Sequence, residues 1–291
     1  MVAIVGAGEL GGAVARALAL NNRSGRIGAI RLIDDESSIA AGKALDLRQS
    51  GPIAQFDTHI DGTADLEATA GASAIVLADP AGSPGHEWEG DAALPLVRRL
   101  VKLGLLHTSI VICAGARQRD LMQRGFDELG LPRRRVIGSA PEALASAVRA
   151  LVAIEARVSA SQVLLSVMGA PPHRTLIPWE DGSIAGHSAG TFLSAAQFQR
   201  LERRLPALWP PGPMVLGTAA ARLCEAVVTE SPRFFSAFVS LDRDNGTKAP
   251  VCAWPVTVGP HGIEKIAAPT LSTRDRLVID GALDGEDKRQ S

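Results

Sequence analysis

The chain has 291 residues, 46% of them hydrophobic and 21% charged, enough apolar material for one large domain or two modest ones. Thirty Lys and Arg stand against 31 Asp and Glu, a formal net charge of -1, so no long-range field draws the protein to nucleic acid or to an anionic membrane. The cysteines Cys113, Cys224 and Cys252 are far apart and form no metal-ligand spacing, so buried reduced thiols and a cytoplasmic location are expected. No apolar run approaches the ~20 residues that span a bilayer, and the opening MVAIVGAG lacks a basic leader.

Val2 to Val5 is a short apolar run typical of a strand buried on both faces, and it ends in a glycine turn that opens a helix through Ala13, Val14, Ala17, Leu18 and Leu20. A second strand, Ile27 to Ile33, stops at Asp34-Asp35 and is followed by a helix over Ser37 to Leu47. Ala74 to Ala78 and Ser109 to Cys113 are further buried strands with a helix from Asp91 to Leu105 between them, and Val136-Ile137-Gly138 is a short fifth strand. Alternation of strands and helices without hairpin signals predicts a doubly wound parallel sheet.

After residue 145 the pattern changes. A helix from Glu142 to about Ala156 leads to an expected strand over Gln162 to Val167, then to helices over Ser188 to Leu205 and Val215 to Thr229, separated by Trp209-Pro210-Pro211-Gly212-Pro213. Strands at Phe234 to Leu241, Val251 to Val258 and Ile263 to Ala267 follow, with Asp244-Asn245-Gly246 as a hairpin turn. Ser272-Thr273-Arg274-Asp275 caps a terminal helix, and Glu286 to Ser291 reads as a frayed tail. The expected division is a nucleotide-binding domain over 1–145 and an α+β domain over 146–291.

Gly6-Ala7-Gly8-Glu9-Leu10-Gly11 is GxGxxG between a strand and a helix. Its glycines permit a tight turn, close approach of a pyrophosphate and close helix–strand packing, with the phosphate on the helix start. Asp34, roughly 20 residues further on at the end of the next strand, is placed to hold a ribose diol and to repel a 2′-phosphate, which favours NAD over NADP. Gly6, Gly8, Leu10, Gly11 and Asp34 are therefore the candidate cofactor residues. The plain alternative is a glycine turn in a fold that no longer binds a nucleotide.

The chain resembles the lactate/malate dehydrogenase family over essentially its whole length. Beside the glycine turn, the resemblance is carried by Leu32-Ile33-Asp34, Gly42-Lys43-Ala44-Leu45-Asp46-Leu47, Ser83-Pro84-Gly85, Arg135-Val136-Ile137-Gly138 and Val256 to Ile266. It implies a Rossmann domain followed by an α+β substrate domain, an NAD cofactor, a 2-hydroxy acid substrate, and a homodimer or homotetramer. In that family a His–Asp pair moves the hydroxyl proton and arginines grip the carboxylate.

Those groups do not fall into place. The family's PRxPGxxR loop reads Pro-Ala-Gly-Ser-Pro-Gly-His-Glu-Trp over 80–88, with Gly82 and Trp88 at the two arginine positions. The asparagine of TNPxD is Ala114, and the aspartate and arginine of LDxxR are Leu144 and Ala147. Arg149 is two residues late, about 200° around a helix. GGHG appears as Gly169-Ala170-Pro171-Pro172, with His173 just beyond as a weak candidate base.

Trp88 and Thr218 are weak candidates for contact with a small-molecule substrate, though Thr218 reads as simply as a helix-cap residue. Only five of the 30 basic residues are lysine, and none of the many arginines meets a carboxylate-binding position of the family. The expectation is an NAD-binding oxidoreductase of this family whose standard 2-hydroxy-acid turnover is absent or very weak. Two alternatives stand beside it. One is a non-catalytic nucleotide sensor or subunit partner; the other, suggested by Glu87-Trp88-Glu89, is a dehydrogenase for a neutral or cationic substrate.

Overall fold

The computed structural model describes residues 1–83, 85–241 and 250–284. Val2–Val5 (β1) buries all four side chains, as a strand covered on both faces requires. It runs into Glu9–Asn21 (α1), whose Leu10, Val14 and Leu18 face the sheet. The alternation continues through Ala29–Ile33 (β2), Ser37–Ala54 (α2), His59–Thr63 (β3), Ala74–Leu77 (β4), Gly90–Lys102 (α3), Ile110–Cys113 (β5), Arg119–Leu129 (α4), Val136–Gly138 (β6) and Ala140–Ala156 (α5). The parallel strands lie in the order β3-β2-β1-β4-β5-β6. The order reverses between β1 and β4, and a doubly wound sheet offers its ligand crevice at such a point.

The second half adds Val163–Leu164 (β7), Met168–Ala170 (β8), Arg174–Leu176 (β9), Ser183–Ile184 (β10), His187–Ser188 (β11), Ala195–Arg204 (α6), Pro213–Val228 (α7), Arg233–Ser240 (β12), Val251–Gly259 (β13), Gly262–Ile266 (β14) and Thr273–Asp284 (α8). β12 joins β6 antiparallel, with Phe238 opposite Gly138, and carries the sheet on through β13, β8 and β9. β14 pairs with β13, while β7, β10 and β11 form a separate small sheet. The residue 145/146 boundary falls inside α5, and the large sheet crosses it. One apolar cluster unites the parallel strands with α1, α7, β12 and β13; a second surrounds Leu144, Val148, Val152 and Val163.

Several expected elements differ. The strand expected over Gln162 to Val167 is reduced to β7, and Met168–Ala170 enters the main sheet instead. The helix expected from Ser188 begins only at Ala195, because the Ser194 and Gln197 side chains form a reciprocal cap there. β3 and α4 are additional to the sequence reading. The turn at Asp244-Asn245-Gly246 and the tail from Glu286 lie outside the described residues, although β12 and β13 do pair antiparallel. Among the described residues no helix is long and apolar enough to cross a membrane.

Candidate functional site

The glycine turn sits where the strand order reverses. Gly6 has φ +107°, a conformation that favours glycine, and its N–H donates to Ile33 O at 2.7 Å. A Cβ on Gly11 would overlap Gly6 O, so that glycine lets α1 begin against the end of β1. These two positions have the geometry the motif predicts.

The space beside Gly8 is filled from within the chain. Asp79, just after β4, is 5% exposed, and its Oδ2 accepts from Leu10 N at 3.0 Å and its Oδ1 from Gly11 N at 2.8 Å. Gly8 N donates to Asp79 O at 3.0 Å, and a Cβ on Gly8 would overlap the Asp79 carboxylate. Lys43 reaches from α2 to donate to Gly8 O. Burial pushes the Asp79 carboxyl above its ordinary range, opposed by the Gly11 and Leu10 N–H groups and the nearby Lys43 charge. The sequence reading missed Asp79; an acid just after the strand adjoining β1 was the available signal.

Asp34 closes β2 as expected and is 5% exposed. Its Oδ2 accepts from Ala7 N at 2.7 Å and Ala81 N at 2.8 Å, and its Oδ1 from Glu36 N at 3.0 Å. Three of the roughly four lone-pair positions of the carboxylate are thus engaged. Beside it lies a cleft of about 190 Å³ lined by Ile33, Asp34, Asp35, Leu66, Trp88 and Arg99, among others. Trp88 forms one wall, and its Nε1 is buried with no hydrogen-bond partner among the described residues.

The loop that carries Trp88 also sends Glu87 into the turn after β5. Its Oε1 accepts from Ala116 N at 2.9 Å and its Oε2 from Arg117 N at 2.7 Å. Burial raises the Glu87 carboxyl above its ordinary range; the Arg117 and Ala116 N–H groups oppose it. Glu89 lies 3.6 Å from Arg117. Both carboxylates that suggested a neutral or cationic ligand are therefore engaged within the chain.

The remaining candidates stay apart. His173 is exposed in the turn between β8 and β9. Leu144 is fully buried in the second apolar cluster, and Ala114 is buried at the end of β5. Arg149 pairs with Glu142 and donates to Ala145 O at 3.2 Å. The other oxygen of Glu142 accepts from Ser236 N at 3.0 Å, and Arg222 stands 3.8 Å from the pair. Thr218 is exposed and lies within α7, not at its cap; its hydroxyl donates to Met214 O at 2.8 Å, beside a cleft shared with Glu142, Ser146 and Arg222. No group of three or more His, Cys, Asp and Glu among the described residues could hold a metal ion.

No family model matches the chain. The malate dehydrogenase of Thermomicrobium roseum is 28% identical over 294 residues, covering 96% of this chain and 93% of that protein. Over nearly its whole length the chain is similar to malate dehydrogenases. Its fold is shared with the malate dehydrogenase of Aeropyrum pernix, at a TM-score of 0.84 and 20% identity over 99% of this chain and 97% of that one. A lactate dehydrogenase from Eimeria maxima, solved with NADH and oxamate, superposes at 0.82 with 19% identity, over 99% and 94% of the two chains. The site has a glycine turn and an acid after β2, with Leu144 and Ala114 buried and Arg149 paired with Glu142.

Proposed function

We propose that this chain is an NAD-binding member of its family, an NAD-dependent oxidoreductase by descent, whose turnover of standard 2-hydroxy acids is absent or very weak. The glycine turn, the one acceptor position Asp34 has left for a ribose hydroxyl and the adjoining cleft support an adenine dinucleotide. The cleft fits the adenosine end, whereas the diphosphate meets Asp79, so the fit is partial. NAD supplies a hydride acceptor when bound, and the chain's own residues must then hold the substrate and move its proton.

The observation that carries the reading is Leu144. The family's aspartate position is a leucine with no exposed surface, packed among Val148, Val152 and Val163, so no carboxylate stands there to orient a base. A positioned acid–base group contributes ~10²–10⁴-fold. An unclamped substrate carboxylate adds a penalty of several kcal/mol in a closed pocket.

Expected turnover of oxaloacetate or pyruvate is therefore at least ~10⁴-fold below the ~1–10³ s⁻¹ of ordinary enzymes. NADH oxidation with both acids and with a panel of non-acid carbonyls tests this, and ordinary rates with either acid refute it. The proposed role is nucleotide sensing or partnership in a homodimer or homotetramer in the cytoplasm.

A further inference from the structure

Asp79 follows β4 in sequence but belongs to the glycine turn in space. The sheet order sets β4 beside β1, which brings this carboxylate to the start of α1. There it accepts from Leu10 N and Gly11 N, two of the free donors that a helix start offers to a phosphate. The volume that Gly8 leaves open by lacking a Cβ is the volume Asp79 occupies. Lys43 donates to Gly8 O at the same turn, and the Leu10 and Gly11 N–H groups are both taken by the one Asp79 carboxylate.

We propose that Asp79 is a specificity-determining residue, a built-in anion that competes with the diphosphate of a dinucleotide for the start of α1. NAD enters fully only when Asp79 leaves, and a nucleoside without phosphates is indifferent to it. The proposal rests on the NAD reading for its natural ligand, but the competition concerns any diphosphate.

The test uses the full chain with Asp79→Ala and Asp79→Asn. Asp79→Ala removes two helix-start bonds; Asp79→Asn keeps the side chain's size and one acceptor oxygen, and stands in should the first variant fail to fold. Binding of NADH, ADP and adenosine is measured by calorimetry, and inorganic pyrophosphate is scored by the shift it causes in melting temperature.

In Asp79→Ala, NADH and ADP should bind at least about tenfold more tightly than in the wild type, and adenosine within about twofold of it. Asp79→Asn should gain in the same direction by less. Pyrophosphate should raise the melting temperature of both variants and leave the wild type unchanged. Equal NADH and pyrophosphate responses in all three proteins overturn the proposal; if all three bind NADH tightly, the NAD reading survives it. Variants that gain pyrophosphate but not NADH support the Asp79 assignment and refute the NAD reading.

Discussion

Replacing Leu144 by aspartate puts back the family's residue at its helix position, and the packing around it implies that this unfolds more than it repairs. Leu144 is 0% exposed in the cluster with Val148, Val152 and Val163. Truncation to alanine in such a site costs about 2–5 kcal/mol, from lost transfer energy and the cavity left behind. Aspartate loses the same packing and adds a carboxyl that must either stay charged without a partner or be held neutral by burial, worth a further ~1–3 kcal/mol even when neutral.

Leu144→Asp should therefore lose about 4–7 kcal/mol, a large share of the ~5–15 kcal/mol of a typical domain, and Leu144→Ala about half of that. Urea unfolding followed by circular dichroism reads both, with the midpoint falling at unchanged slope if the unfolding stays two-state. The aspartate variant should gain no turnover of oxaloacetate, since Arg149 remains bound to Glu142 and His173 remains exposed. Leu144→Asp protein with stability within ~1 kcal/mol of the wild type, or with measurable oxidation of NADH by oxaloacetate, would overturn this expectation.

Two further outcomes follow from charges the fold has committed internally. Glu142→Ala leaves Ser236 N buried without its partner and Arg149 without its counter-charge, so it should lose about 3–5 kcal/mol in urea unfolding, and Glu142→Gln should lose less because an amide oxygen can still accept. The Arg31 guanidinium hydrogen-bonded to Asp61 at 2.6 and 2.7 Å holds that carboxyl below its ordinary range. Its contribution is present above the ordinary carboxylate pKa and is lost as pH falls through the lowered one. With side chains 30% exposed the effect is under ~1 kcal/mol, and stability of wild type and Arg31→Leu measured from about pH 6 downwards should converge at the acid end.

Local pattern was enough to read the elements that build the nucleotide half. The buried run Val2–Val5, the glycine turn and the apolar spacing of α1 agree with one another, and each local choice points to the same fold. β3 was not legible because Asp61 and Gly62 interrupt an edge strand of mixed exposure. α4 was obscured by its charge and by Gly125, although Leu121, Met122 and Phe126 lie on one buried side.

The family's motif positions could be compared with this chain one by one, because the reacting groups are defined by motifs. What filled the spaces could not. Asp79 lies 69 residues from Leu10 and Glu87 lies 29 from Ala116, and only the neighbour relations of β1, β4 and β5 bring each carboxylate to its backbone donors. Asp34 shows the same limit from the other side. Its position was legible, but its three backbone donors, from Ala7, Glu36 and Ala81, are a property of the folded turns.

Whether the reacting end has lost its chemistry is decided by a single-turnover experiment with the wild-type chain in several-fold excess over NADH and with saturating oxaloacetate. With the protein also held above its measured Kd for NADH, so that the cofactor is bound, release and slow exchange are removed from the reading and the chemical step is seen. NADH absorbance should fall by no more than about a tenth in the first second. Its conversion to NAD⁺ within about a second, as an ordinary dehydrogenase would achieve, would contradict the loss of turnover.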